Sequence, residues 1–141
     1  AKAFSVPSVM RLSTSLFLVV AFVPLLVRAE LLPSAYESMQ AKASEYVRME
    51  VMRVEVSPGK DPAQQDVHLV VIVDEVIRTS TSMTPDEILN IRYTITDHPE
   101  GWNGPGELPL LQEKMTTIAY LNKLESGDYE PAAGRMSFSN F

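Results

Sequence analysis

The sequence predicts a mainly β domain of the α+β class: a small five-stranded barrel preceded by one short N-terminal helix, after a secretory signal. Three observations predict it. Apolar residues alternate over several short runs between Tyr46 and Phe138, the periodicity of half-buried strands. Clusters of Pro, Gly, Asp and Ser punctuate those runs. Hydrophobic residues make up 45% and charged residues 21% of the chain, ordinary globular usage that calls for a packed core. Closing the strands into a barrel hides sheet edges that would otherwise invite aggregation.

Leu12 to Val27 is a sixteen-residue stretch without a charge, and Leu16 to Val27 (LFLVVAFVPLLV) is continuously apolar between Arg11 and Arg28. That is the length and position of a signal h-region. Met10 reads as the initiator, with Ala1 to Val9 upstream of it, and Val27-Arg28-Ala29 places a cleavage site before Glu30. Residues 1–29 are therefore assigned as upstream residues and secretory signal, and 30–141 as a single domain, periplasmic or extracellular. The alternative is a retained membrane anchor, although a spanning helix wants about 20 apolar residues and Pro24 interrupts this one.

Leu31, Leu32, Tyr36, Met39, Ala43 and Tyr46 recur at helical spacing, predicting a short amphipathic helix between Glu30 and Tyr46 capped by Ser34. From Tyr46 to Val56 the apolar phase runs Val47, Met49, Val51 and then slips to Met52, Val54, Val56, the signature of a β-bulge. Met49 and Met52 are both expected in the core. Val67 to Thr79 (VHLVVIVDEVIRT) reads as a central strand, apolar on both faces at its start. Ile88 to Ile95 places Leu89, Ile91, Tyr93 and Ile95 on one face and Asn90, Arg92 and Thr94 on the other. Asp97 to Leu108 is a Gly/Pro loop. Met115 to Leu121 is a fourth strand, and Gly134 to Phe138 a last short one, with Tyr129-Glu130-Pro131 as its lead-in.

Charge and composition narrow the function classes. Lys2, Arg11 and Arg28 precede Glu30, whereas all 18 acidic residues lie at or after it, so residues 30–141 carry nine basic groups against 18 acidic ones. A surface that acidic repels phosphate backbones, which argues against nucleic acid. The absence of cysteine removes disulfides, thiolate metal sites and cysteine nucleophiles. Neither a Gly-x-Ser-x-Gly elbow nor a Gly-rich phosphate loop with Lys-Ser/Thr occurs, and no residue is assigned a catalytic role. Asp74 and Glu75 are strand neighbours that point to opposite faces, so they make no acid/base pair.

Asp97, His98 and Glu100 bring carboxylate and imidazole donors together and are the candidate metal set, but ligands this close in a Pro/Gly loop converge poorly on one ion. No metal or cofactor is assigned. His68 reads as a packed or surface side chain rather than a partner of His98. Trp102 in GWNGPG is the candidate recognition anchor, or a lid over the barrel mouth, with Asn103 beside it and Tyr120 as a further binding candidate.

The strand VHLVVIVDEVIRT, a Thr-Pro-Asp turn, the strand EILNIRYTI, a Gly-Pro loop before Leu110-Leu111 and the strand MTTIAYLNK follow one another over about half the chain. This order resembles the oligosaccharide/oligonucleotide-binding (OB) barrel of netrin-like modules and tissue inhibitors of metalloproteinases. The run, closing in YEPAAGRMSF, also looks like a group of exported bacterial proteins. The resemblance implies an OB-like fold. In the inhibitors an N-terminal cysteine chelates the target's zinc, and this chain has none, so the inhibitory mechanism does not carry over. The function expected is a noncatalytic exported module that binds a protein or envelope component. The alternatives are a structural protein anchored by a retained N-terminal helix, which alone would bring a membrane into play, and a hydrolase.

Overall fold

A computed structural model of the chain describes residues 32–97 and 107–139. Residues 1–29, read as upstream residues and a secretory signal, therefore lie outside the described residues. Helix α1 (Pro33–Lys42) leads into β1 (Glu45–Pro58), β2 (Gln64–Thr79), β3 (Ile88–Thr96), β4 (Thr116–Lys123), β5 (Tyr129–Pro131) and β6 (Phe138–Ser139). Among the described residues no helix is long and apolar enough to cross a membrane.

The first five strands close into a barrel in the order β1-β2-β3-β5-β4, with β4 pairing back onto β1. All contacts are antiparallel except β3 with β5, which run parallel at Ile91 and Tyr129. This is the OB-like arrangement. The free edge of β4 carries β5 and then β6, the latter pairing at Ile118 and Ala119.

Inward alternation builds the core. Val47, Met49 and Val51 of β1, Val67, Leu69, Val71 and Val73 of β2, Leu89, Ile91 and Tyr93 of β3, and Ala119 and Leu121 of β4 are buried together with Met83, Leu111, Tyr129 and Phe138. Each strand shows the core one face, hence the period of two. The phase slip in β1 is a bulge: Val51 pairs with Val71 and Arg53 with Val70, which leaves Met52 as the extra residue. Met52 is consequently 49% exposed and not a core residue. At the β1–β2 turn the backbone passes so close to Gln64 that a side chain at Gly59 would collide with it, a Cβ there lying 2.7 Å from the Gln64 Cβ.

Three local expectations are corrected. The helix begins at Pro33 with Leu32 in the capping position, extended and without a side-chain cap, so Ser34 lies inside the helix. Proline at the first helical position sets the helical φ and moves the boundary before itself. Of the predicted apolar stripe, Tyr36 and Ala43 are buried while Leu32 and Met39 are exposed. Finally, Tyr129–Pro131 is itself a strand, and the segment after it forms a 3-10 turn (Gly134–Met136) before the two-residue β6.

Helix α1 is held at its C-terminal end and through Tyr36. Arg78 donates to the Ala43 and Gln40 carbonyls at 2.6 and 2.8 Å, satisfying groups that a helix C-terminus leaves unpaired. The Gln40 amide donates to the Met136 carbonyl at 2.8 Å, and the Arg135 guanidinium lies 5.5 Å from the Tyr36 ring centre.

Candidate functional site

The long β1–β2 hairpin and β3 extend beyond their partners and form one side of a groove lined by Glu55, Val56, Ser57, Asp66, Val67, His68, Arg92, Tyr93, Thr94, Leu108, Glu130 and Pro131. Register explains the grouping. Glu55 opposes His68, and His68 opposes Arg92, while Ser57, Asp66 and Thr94 form the next polar row. Side chains two apart on neighbouring strands share a face, so both rows line the same surface.

The polar rows are internally bonded. His68 Nδ1 lies 2.8 Å from Glu55 Oε1 and its Nε2 lies 2.8 Å from Asn90 Oδ1, which fixes the ring at both nitrogens. Arg92 Nε donates to Asp128 Oδ2 at 2.8 Å and the Thr94 hydroxyl to Asp66 Oδ1 at 3.1 Å. The His68 ring touches a carboxylate and an amide, and the arrangement presents oriented polar groups beside the apolar Val56 and Leu108. Such a surface can bind.

Tyr93 anchors the groove's inner wall. Its hydroxyl donates to the Pro109 carbonyl at 2.8 Å and its ring lies 5.9 Å from that of Phe138. Burial pushes the phenol up to about 12, a hydrogen bond from the Leu111 backbone opposing the rise. Because the folded chain holds this proton more tightly than the unfolded chain, whose tyrosines titrate near about 10, the stability it contributes is complete below about pH 10. It declines as pH rises from about 10 to about 12. Urea titrations over that range are expected to show a falling midpoint, with a smaller fall in Tyr93→Phe; an equal fall in both proteins would show that Tyr93 is not responsible.

The sequence-predicted residues are scattered with respect to this groove. Trp102, Asn103, His98 and Glu100 lie outside the described residues, and Asp97 is exposed at the end of β3. Among the described residues no group of three or more His, Cys, Asp or Glu side chains is placed to hold a metal ion. Tyr120 sits on β4, directly opposite Tyr46 of β1, and does not line the groove. Asp74 and Glu75 are both exposed, and Glu75 pairs with Arg48 at 2.5 Å. His68 is half-buried in the network just described. Glu55 and Arg92 are not singled out in the sequence, and His68 reads there only as a packed or surface side chain; the one signal is for Arg92, on the polar face of the Ile88–Ile95 alternation with Thr94.

No protein-family model matches the chain, and no curated protein and no solved structure matches it.

Proposed function

We propose that the chain is an exported, noncatalytic module that binds an extended segment of a protein or envelope partner along the outer edge of β1, beside the groove. The observation that carries this reading is an open strand edge. Pairing of β1 with β4 ends at Glu50, and Val51 is bonded to Lys114 and Met115, whereas β1 continues to Pro58. Among the described residues nothing pairs with the outer edge of β1 from Met52 to Pro58.

An unpaired edge offers backbone donors and acceptors to an added strand. The bulge at Met52 and Pro58 bracket the stretch, limiting it to a short segment and opposing open-ended sheet growth. Met52 and Val56 expose apolar surface along it, and in the groove Glu55, Asp66 and Glu130 outnumber Arg92, while Arg53 on the edge is paired with Glu55, so the partner segment should carry apolar side chains with basic ones toward the groove. The strand order supports an OB-like barrel, and kinship with netrin-like modules in particular is part of the proposal.

Met52→Lys/Val56→Lys places two cations on the edge without touching the core. Capture of partners from envelope extracts is expected to drop at least about tenfold, the equivalent of 1.4 kcal/mol, with far-UV circular dichroism unchanged. Trp102→Ala is the companion variant. Undiminished capture by the double lysine variant would overturn the edge as the contact, and loss in Trp102→Ala alone would move the contact to the loop.

A further inference from the structure

Tyr46 and Tyr120 are cross-strand partners on the seam where β1 and β4 close the barrel. Their rings stack with centroids 4.3 Å apart and planes 6° from parallel. Aromatic pairs usually prefer offset or edge-to-face contacts with wider spacing, so this pair is held unusually close and flat by the strands beneath it. The Tyr46 hydroxyl next to it and burial push the Tyr120 phenol up to about 12, against the opposing effect of Arg78.

Exposure separates this pair from the other tyrosines. The chain has five, and Tyr36, Tyr93 and Tyr129 are buried, whereas Tyr46 and Tyr120 are half-exposed. We propose that Tyr46 and Tyr120 are an oxidative cross-linking site that forms an intramolecular dityrosine across the barrel seam.

The oxidant is hydrogen peroxide acting through a haem peroxidase. Each phenol gives up one electron and its hydroxyl proton and becomes a phenoxyl radical with spin density on the carbons beside the C–O carbon. Those carbons bond through orbitals perpendicular to the ring planes, and a parallel stack points these orbitals at one another. One C–C bond forms between the rings. The hydrogen on each bonded carbon then moves to its phenolic oxygen, restoring two phenols. The two electrons and two protons lost reduce one peroxide to two waters, which balances the step.

The product would tie positions 46 and 120 of a chain that contains no cysteine, closing a long loop in the unfolded state as a disulfide would. Stability should therefore rise. The full chain at low concentration is treated with a haem peroxidase and hydrogen peroxide, with free tyrosine as the reference for coupling. The expected result is dityrosine fluorescence in the monomer, a linked peptide pair containing Tyr46 and Tyr120 that is lighter by two hydrogen atoms, and a higher urea midpoint. Tyr46→Phe and Tyr120→Phe keep the ring stack and should each abolish the link. The proposal is overturned if the monomer stays unlinked at a dose that couples free tyrosine, if the link persists in both phenylalanine variants, or if coupling occurs only between chains.

Discussion

Ile91→Ala is expected to destabilise the domain by about 3–4 kcal/mol, the loss for a large aliphatic side chain deleted where the surroundings cannot collapse. Ile91 is fully buried in the middle of β3, opposite Leu69 on β2 and beside Tyr129 on β5. It thus stands at the single parallel junction of the barrel. A cavity there removes contacts from three strands at once, and β5, only three residues long, has little else to hold it in register. For a domain of this size the change corresponds to a fall in Tm of roughly 10–20 °C. Ile88→Ala, on the same strand but 59% exposed, should remain within about 0.5 kcal/mol of the parent. Equal effects of the two substitutions in a thermal or urea melt would mean that the inward alternation of β3 is not what holds the sheet.

That contrast also shows why the long strands could be read from the sequence. A barrel wall has one dry face, so burial imposes a period of two on β1, β2 and β3, and even the irregularity in β1 leaves a trace as a phase slip at Met52. Which residue becomes the extra one is another matter. Val51 and Met52 are both apolar, and only pairing with Val71 and Val70 decides that Met52 is expelled. β5 left no trace because three residues, one of them proline, cannot express a period; its place is set by Tyr129 meeting Ile91 across the barrel. The helix cap failed for a local reason, since Ser34 is the usual capping type but Pro33 had already fixed the start.

The candidate groove was less legible than the fold because it is a property of register. Arg92 and Thr94 could be placed on one face of their strand, yet bringing Glu55 opposite His68 and His68 opposite Arg92 needs two strand pairings, one of them displaced by the bulge. Without that displacement the face of β1 beyond Met52 would invert, and Glu55 would point away from His68. The bulge therefore does two things for the proposed binding surface: it turns Glu55 toward His68 and it ends the pairing-competent edge at Met52. A residue such as Trp102, amid glycines and prolines, attracts attention in a sequence because aromatic anchors sit on loops, whereas a face assembled from three strands has no contiguous motif.

Thr79→Val is expected to cost about 2–3 kcal/mol although it changes little in shape, because it removes a hydroxyl on which three other polar groups depend. Glu45 is completely buried, and its Oε1 accepts hydrogen bonds from the Thr79 hydroxyl at 2.5 Å and the Thr81 hydroxyl at 3.0 Å. The same Thr79 oxygen accepts from the backbone N–H groups of Thr81 and Met83, each at 3.1 Å. It is the link between a buried carboxyl group at the barrel end and the turn that carries Met83 into the core. Glu45 Oε2 has no hydrogen-bond partner, so the carboxyl group depends on the two threonine hydroxyls that Oε1 does have. Losing one of them leaves a desolvated acceptor poorly compensated. Thr79→Ser, which keeps the hydroxyl, should recover most of the loss. Glu45→Leu alone is expected to be destabilising as well, but Glu45→Leu/Thr79→Val should cost clearly less than the two changes added together, because replacing both partners removes the unmet demand along with the bond. Strictly additive losses in urea denaturation would show that Thr79 and Glu45 act independently and that the buried carboxyl group is satisfied by something other than the hydroxyls around it.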